Sequence, residues 1–298
     1  MPKVTVNNTE IAYEFSGSKD NPVLLLIHGL ASPLTAWPES LVAQLVAEGF
    51  CVLRFDNRDV GQSQKLDTLG TPNLVRNWLK SKFFLPVSSP YSLNDMMADA
   101  ESLLDALGIE EAHVVGASMG GMIAQLLAIH APKKVKTLTS IMSTTGSRKV
   151  PGPTKPVTKH LMTRPAESTA EAILAHNLKT WALIGSPAYV TPESEQRDYI
   201  KGIIERGLSG PGAARQSAAI MAASNRAKGL KTLTMPSLVI HGDADPLVNV
   251  AGGYDTAKAI PKARLEIIPG MGHDFPPQLH ETIAQLICGH ARACESVN

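Results

Sequence analysis

The amino-acid sequence predicts an α/β fold, with a mostly parallel eight-stranded sheet flanked by helices and an inserted helical cap. Three observations predict it. Eight short runs are rich in β-branched and aliphatic residues, stretches with helical spacing separate most of the later runs, and this alternation fails once, in the second half of the chain. The predicted strands are residues 4–6, 11–15, 24–27, 51–55, 113–115, 135–142, 238–240 and 265–268.

The first two predicted strands, 4–6 and 11–15, lie close together in the sequence with no helical stretch between them. We therefore expect them to form an antiparallel hairpin at one edge of the sheet. Further along the chain, apolar residues recur with the period of a helix and predict helices that cover the sheet. These helices span residues 37–48, 93–107 and 119–130.

The alternation of strands and helices breaks down between residues 144 and 233. A proline-rich stretch at 150–156 lies near the start of this segment, and no strand pattern convincingly interrupts the residues after it. The segment instead shows helical spacing at 170–184, 193–206 and 213–224.

Because the strand pattern resumes at residue 238, we interpret residues 144–233 as an inserted helical cap on a core of residues 1–143 and 234–298. A cap in this place is expected to lie over the carboxyl edge of the sheet, where the ligands of open α/β sheets bind. An insertion remote from any site is the alternative, since long insertions cost little stability.

Composition points to a small-molecule substrate. The 298 residues include 28 Lys and Arg and 27 Asp and Glu, a net charge of +1, and the scattered charges predict no binding to nucleic acid or to an anionic membrane. The longest apolar run near the start, 23–27, is shorter than the ~20 residues of a membrane span. No secretory signal is evident either, so we expect a soluble, cytoplasmic protein. Three cysteines without paired spacing predict neither a disulfide framework nor a zinc site. Oligomeric state stays open.

The segment around Ser118 carries the strongest chemical signal. Gly116-Ala-Ser118-Met-Gly120 fits the pattern G-x-S-x-G between a predicted strand and a predicted helix. A serine on such a turn takes a strained backbone conformation, and glycines on both sides avoid collisions with the neighbouring elements. The pattern predicts a nucleophile elbow, with Ser118 exposed at the carboxyl edge of the sheet.

A nucleophilic serine needs a base and a group that orients the base, and in folds of this kind they follow in the order serine, acid, histidine. His273 follows a predicted strand and a Gly-rich loop, whereas four of the other histidines lie in predicted helices, so His273 is the expected base. The acid comes from the loop after strand 238–240, which contains both Asp243 and Asp245. Asp243 directly follows Gly242 and can cap the turn.

The turn after the third predicted strand, Ile27-His28-Gly29-Leu30, is expected to form the other wall of the site. Its backbone N–H groups, together with the first amide of the helix after Ser118, can stabilise an oxyanion. We assign Leu30 and Met119 as the donors. His28 is expected to shape the turn, and a role as a second base is the alternative.

Together these motifs resemble the α/β-hydrolase superfamily over nearly the whole chain, and Asp56-Asn-Arg58-Asp59-Val-Gly-Gln-Ser63 is similar to the aclacinomycin methylesterase branch. The resemblance implies hydrolysis of a carboxylic ester without a cofactor or metal, and it favours Asp245, which is followed by proline, as the acid. Asp59 stands where many relatives carry glycine. The cluster of Asp56, Arg58 and Asp59 is either a solvated group of charges or a buttress below the active site.

Serine at position 118 excludes the dehalogenases and epoxide hydrolases of this fold, which use a carboxylate nucleophile. Ester hydrolysis is the expected reaction, and the apolar cap, with Trp181, favours small to medium apolar esters. Thioester hydrolysis, carbon–carbon bond hydrolysis and perhydrolysis use the same constellation and stay open as alternatives. A non-catalytic ligand receptor is a remote further alternative, because no catalytic part is missing.

Overall fold

A computed structural model describes residues 1–83, 85–167 and 169–295 of the chain. Its eight strands form one sheet in the order β1-β2-β4-β3-β5-β6-β7-β8, with β1, β2 and β4 paired antiparallel and all later pairs parallel. The predicted α/β-hydrolase sheet with an edge hairpin is therefore confirmed. The strands are β1 (Lys3–Val6), β2 (Thr9–Ser16), β3 (Val23–Ile27), β4 (Cys51–Phe55), β5 (Ala112–Ala117), β6 (Val135–Ile141), β7 (Ser237–Gly242) and β8 (Arg264–Ile268).

Helices cover both faces of the sheet. They are α1 (Glu39–Ala47), α2 (Leu74–Lys82), α3 (Leu93–Ala106), α4 (Met119–His130), α5 (Lys155–Leu161), α6 (Ala170–Ile184), α7 (Glu193–Gly207), α8 (Gly210–Ala222), α9 (Ala227–Leu230), α10 (Ala251–Ala259) and α11 (His280–Glu295). Alternate residues of a strand point to opposite faces, so Leu25 and Ile27 pack in the apolar layer below α3 and α4, whereas Leu24 and Leu26 pack below α1 and α11.

The stretch between β6 and β7 contains helices α5 to α9, and no strand occurs in the part of it that the structure describes. Two of its side chains contact loops that follow β3. Tyr199 on α7 donates its hydroxyl hydrogen to the Ala36 carbonyl at 2.7 Å, and Gln216 on α8 accepts the Ala31 N–H at 2.8 Å. This helical segment therefore packs against the loops at the carboxyl edge of the sheet.

Helix α2 occupies residues to which the sequence analysis assigned no element. Its one fully buried residue is polar, Asn77, and its large apolar residues face solvent, so the usual apolar stripe toward the core is absent from this helix. Across residues 1–83, 85–167 and 169–295, none of the helices combines the length and the apolar character that a bilayer span requires.

Candidate active site

The turn from β5 to α4 holds Ser118 in a strained conformation, with φ of 57° and ψ of −119°. Two glycines make the turn possible. A Cβ on Gly116 would lie 2.2 Å from the Gly120 carbonyl oxygen, and a Cβ on Gly120 would lie 1.9 Å from the Ile27 carbonyl oxygen. Both approaches are far below van der Waals contact, so the elbow packs against the neighbouring strand only with glycine at these positions.

Three loops bring Ser118, His273 and Asp245 together. The Nε2 atom of His273 lies 3.0 Å from Ser118 Oγ, and its Nδ1 atom lies 2.7 Å from Asp245 Oδ2. A carboxylate at Nδ1 favours the tautomer with hydrogen on that nitrogen, which leaves Nε2 free to accept the serine hydroxyl hydrogen. The arrangement is that of a serine nucleophile, its base and an orienting acid.

The two candidate acids have different surroundings. Asp245 is buried, and its Oδ1 accepts the N–H groups of Leu247 and Val248 at 2.9 and 2.8 Å. Burial alone would raise its pKa, but the charge and hydrogen bonds of His273 and His241 hold the pKa of Asp245 well below its usual range. Asp243 is exposed and accepts the Gly270 N–H at 2.6 Å, which ties together two loops. The geometry favours Asp245 as the partner of the histidine.

His241 lies in this site, although the sequence analysis did not select it. It is fully buried at the end of β7, and its Nε2 lies 2.8 Å from the Val248 carbonyl oxygen and 3.5 Å from Asp245 Oδ2. The ring therefore packs against the acid loop, as His273 does. Its position four residues before the acid was the available signal, but a histidine inside a strand is more often a core residue.

The candidate oxyanion donors come from two different turns beside the serine. Met119 is the first residue of α4, where backbone N–H groups have no intrahelical acceptor. Leu30 belongs to the turn after β3, and among the described residues neither its N–H nor that of Met119 has a hydrogen-bond acceptor. A Cβ on Gly29 would lie 3.5 Å from Ser118 Oγ, so glycine keeps this wall close to the nucleophile.

His28 is buried, and both of its ring nitrogens have partners. Nδ1 accepts the Gly29 N–H at 2.7 Å, and Nε2 donates to the Ala36 carbonyl at 3.1 Å. Burial, opposed only in part by the hydrogen bond to Ala36, lowers the pKa of His28 to about 3. A neutral ring with both nitrogens occupied fits the expected structural role in the turn better than a role as a second base.

Comparison with known proteins identifies the family. The chain matches the α/β-hydrolase fold family over residues 22–277. It belongs to that family. It is 30% identical to rhodomycin D methylesterase DnrP of Streptomyces peucetius over 98% of this chain and 99% of the relative, and 29% identical to methylesterase DauP of another Streptomyces with the same coverage. These relatives confirm the resemblance to the aclacinomycin methylesterase branch.

Solved structures show the same α/β-hydrolase fold. An enol-lactonase from Burkholderia xenovorans superimposes with a TM-score of 0.75 at 22% identity, covering 98% of this chain and 100% of that one. A putative lipase from Acinetobacter baumannii superimposes with a TM-score of 0.77 at 18% identity, covering 100% of this chain and 92% of that one.

In this α/β hydrolase the charged loop after β4 is buried, so the solvated alternative for Asp56, Arg58 and Asp59 is wrong. Arg58 donates two hydrogen bonds of 2.6 Å to Asp99. Asp59 has a positive φ of 73°, a conformation that favours glycine. Its carboxylate accepts bonds of 2.8 and 2.6 Å from Arg215, which offsets the strain of the turn.

Two polar residues of the helical segment support the loops of this hydrolase, and the sequence analysis missed both. Ser186 accepts the Gly272 N–H at 2.8 Å and donates to Asp274 at 2.5 Å, directly beside His273. Gln216 is fully buried, accepts the Ala31 N–H and donates to the Arg58 carbonyl at 2.8 Å. Their partners are distant in sequence, and no motif marks them.

Proposed function

We propose that this α/β hydrolase cleaves small to medium apolar carboxylic esters through an acyl-enzyme on Ser118. The class of the reaction, hydrolysis of a carboxylic ester, is the one predicted from sequence, and the two methylesterases confirm it. The hydrogen-bonded chain from Ser118 Oγ through His273 to Asp245 carries the assignment of residues. No described residues form a group of three or more potential metal ligands.

The first half-reaction forms the acyl-enzyme. His273 Nε2 removes the hydroxyl proton as Ser118 Oγ attacks the ester carbonyl carbon. The depressed pKa of Asp245 keeps its carboxylate ionised near neutral pH, where it holds the imidazole tautomer and stabilises the imidazolium that forms. The N–H groups of Leu30 and Met119 donate to the oxyanion, and His273 then protonates the departing alcohol.

The second half-reaction releases the acid. Water takes the place of the alcohol, and His273 removes a proton from it as it attacks the acyl carbon. The tetrahedral oxyanion forms at the same pair of N–H groups and collapses by expelling Ser118 Oγ, which regains its proton from His273. The serine, the base and the acid are thus returned to their starting protonation states.

The proposal includes residues 144–233 as a cap that forms the wall for the apolar part of the ester. The contact of Tyr199 with Ala36 and that of Gln216 with Ala31 support this place for the segment. Trp181 packs edge to face on Tyr199, with ring centroids 5.3 Å apart, and adds aromatic surface next to that contact. Apolar walls with a few placed polar groups are typical of sites for apolar small molecules.

A substrate panel tests the proposal. The panel contains p-nitrophenyl esters of increasing acyl length, a methyl ester, a thioester, a ring-cleavage product with a scissile carbon–carbon bond, and acetate with hydrogen peroxide. We expect the esters to be turned over best and a fluorophosphonate probe to label Ser118. Preferred turnover of the thioester, the ring-cleavage product or the peroxide would contradict the ester assignment. Failure of the probe to label Ser118 would contradict the proposed nucleophile and favour the non-catalytic receptor.

A further inference from the structure

Helix α2 exposes its apolar face to solvent. Val75, Trp78 and Leu79 lie at positions i, i+3 and i+4 of this helix, and Phe83 follows its last residue on the same side. Val75 and Phe83 are 66% and 69% exposed. The opposite side is polar, because buried Asn77 donates to the Ser88 carbonyl at 2.9 Å. Contiguous exposed apolar surface of this kind marks a place where the protein meets an apolar partner.

The charge of the surrounding segment differs from that of the whole chain. Residues 68–94 contain three basic residues, Arg76, Lys80 and Lys82, and no Asp or Glu, so the segment carries +3 in a chain with a net charge of +1. The overall balance had predicted no affinity for an anionic membrane. That prediction rests on the average over the whole chain, which does not reveal this local excess of positive charge beside the exposed apolar face.

We propose that α2 and Phe83 form a peripheral docking surface for an anionic lipid bilayer. Trp, Phe and Leu on one side of a helix that also carries Lys and Arg are typical of helices that lie in the plane of a membrane interface. The apolar side chains enter the boundary between headgroups and acyl chains, and the cations face the lipid phosphates. The proposal is independent of the reaction that the active site performs.

The position of Lys82 favours lipid over a protein partner. It lies seven residues after Val75, within the apolar face, and its Nζ lies 4.9 Å from the centre of the Trp78 ring. Lysine is depleted from the cores of protein interfaces. At a bilayer surface, however, its long stem can lie along apolar groups while the ammonium reaches the headgroups, and tryptophan prefers the same depth.

The same charges disfavour a symmetric dimer through this face. Two copies related by a two-fold axis would bring like patches together, each with three cations and no compensating carboxylate in the segment. Like charges opposed across an interface are destabilising. An anionic bilayer supplies both the apolar depth and the opposite charge.

Co-sedimentation of the whole protein with vesicles tests the proposal. Vesicles of phosphatidylcholine are compared with vesicles of phosphatidylcholine and phosphatidylglycerol, at low and at high salt. We expect binding to the anionic vesicles that high salt weakens, since each cation near such a surface contributes about fivefold in affinity. The double variant W78S/F83S should lose at least roughly tenfold in binding, because the apolar anchor is removed. The variant K80E/K82E should lose the preference for anionic lipid.

Leu161→Ser combined with Met162→Ser is the matched control, since both side chains are about half exposed on another surface. It should bind vesicles like wild type. Circular dichroism and the midpoint of thermal unfolding verify that every variant is folded. The proposal is overturned if wild type does not sediment with anionic vesicles or if the control variant loses as much binding as W78S/F83S. It is also overturned if wild type is a dimer in solution that W78S/F83S converts to monomers.

Discussion

The carboxyl edge of the sheet and the helical segment between β6 and β7 contribute to the site in different ways. The loops after β5, β7 and β8 carry the groups proposed to react, Ser118, Asp245 and His273. The helical segment carries groups that hold these loops or their neighbours, such as Gln216 on the Ala31 N–H and Arg215 on Asp59. By this proposal the chemistry belongs to the core, whereas the geometry of the site depends on both regions. Substitutions in the two regions should therefore fail in different ways.

Loss of the nucleophile should have the largest effect. Ser118→Ala removes the atom that forms the acyl-enzyme, so turnover of an activated ester should fall by ~10⁴-fold or more, to the level supported by the oxyanion donors alone. The measurement is kcat on a p-nitrophenyl ester, with circular dichroism to verify the fold. Turnover close to wild type would show that Ser118 is not the nucleophile.

The acid should be the next most sensitive position. Asp245→Asn leaves His273 with the wrong tautomer and should cost on the order of 10³ to 10⁴ in kcat. Asp243→Asn is the matched control two residues away, and it should stay within about tenfold of wild type because only the bond to the Gly270 N–H is weakened. The reverse ranking on folded proteins would move the acid to Asp243.

Arg215 tests whether the helical segment stabilises the core. Arg215 and Asp59 are both fully buried, and Arg215→Met leaves the carboxylate without its cation, which should lower the free energy of unfolding by ~3–5 kcal/mol. Arg197→Met is the control, since its pairs with Glu171 and Glu193 are exposed and worth at most about 1 kcal/mol. Equal losses in urea denaturation would show that the buried pair adds no stability beyond that of a surface pair.

The same ion pair predicts a dependence on pH. Burial opposes ionisation of Asp59, but the hydrogen bonds and charge of Arg215, together with the hydrogen bonds from the Leu66 N–H and the Tyr91 hydroxyl, lower the pKa of Asp59 in the folded protein. A carboxyl group whose pKa is depressed by folding adds stability above about pH 4, and that stability is lost as the pH falls toward the folded-state pKa. The difference in unfolding free energy between wild type and Arg215→Met should therefore narrow below about pH 4.

Substitution of Gln216 should have the smallest effect. A residue that binds substrate would change KM, whereas Gln216 is expected to change kcat. Gln216→Met keeps the side-chain volume but releases the Ala31 N–H, so the adjacent Leu30 amide becomes less well positioned for the oxyanion. We expect kcat to fall roughly tenfold with little change in KM, less than the loss of a whole oxyanion donor. Ser217→Ala, which changes only a bond within α8, is the control. A change in KM alone would indicate a role in binding.

Much of the fold and the arrangement of the site were predictable because they depend on local patterns. Helices α4 and α6 have the bounds that their spacing predicted. The order of the strands brings the loops after β5, β7 and β8 to one edge, so position along the chain was enough to select Ser118 and His273 as candidates. It left Asp243 and Asp245 both open, and the resemblance to the methylesterases favoured Asp245.

The features that the sequence analysis missed depend on long-range contacts or on exposed faces. Gln216 is one of three adjacent polar residues in the alanine-rich helix α8, and its hydrogen-bond partner Ala31 lies 185 positions away. The pattern after β4 did not show that Asp59 would be buried, because its cation lies on α8. Helix α2 carries Val75, Trp78 and Leu79 at the spacing of a helix, so the helix itself was detectable, but the sequence does not show that this face points to solvent and not to the core.

The bond between Gln216 and the Ala31 N–H also links the position of the helical segment to the enzyme's response to heat. If α8 moves away from the core, the turn that carries the proposed oxyanion donor Leu30 loses its hydrogen bond to Gln216 before any strand of the sheet separates. Activity should then disappear at a lower temperature than the cooperative unfolding of the sheet. The exchange rate of the Ala31 amide hydrogen would follow this undocking directly, since that hydrogen is protected only while the helix is in place.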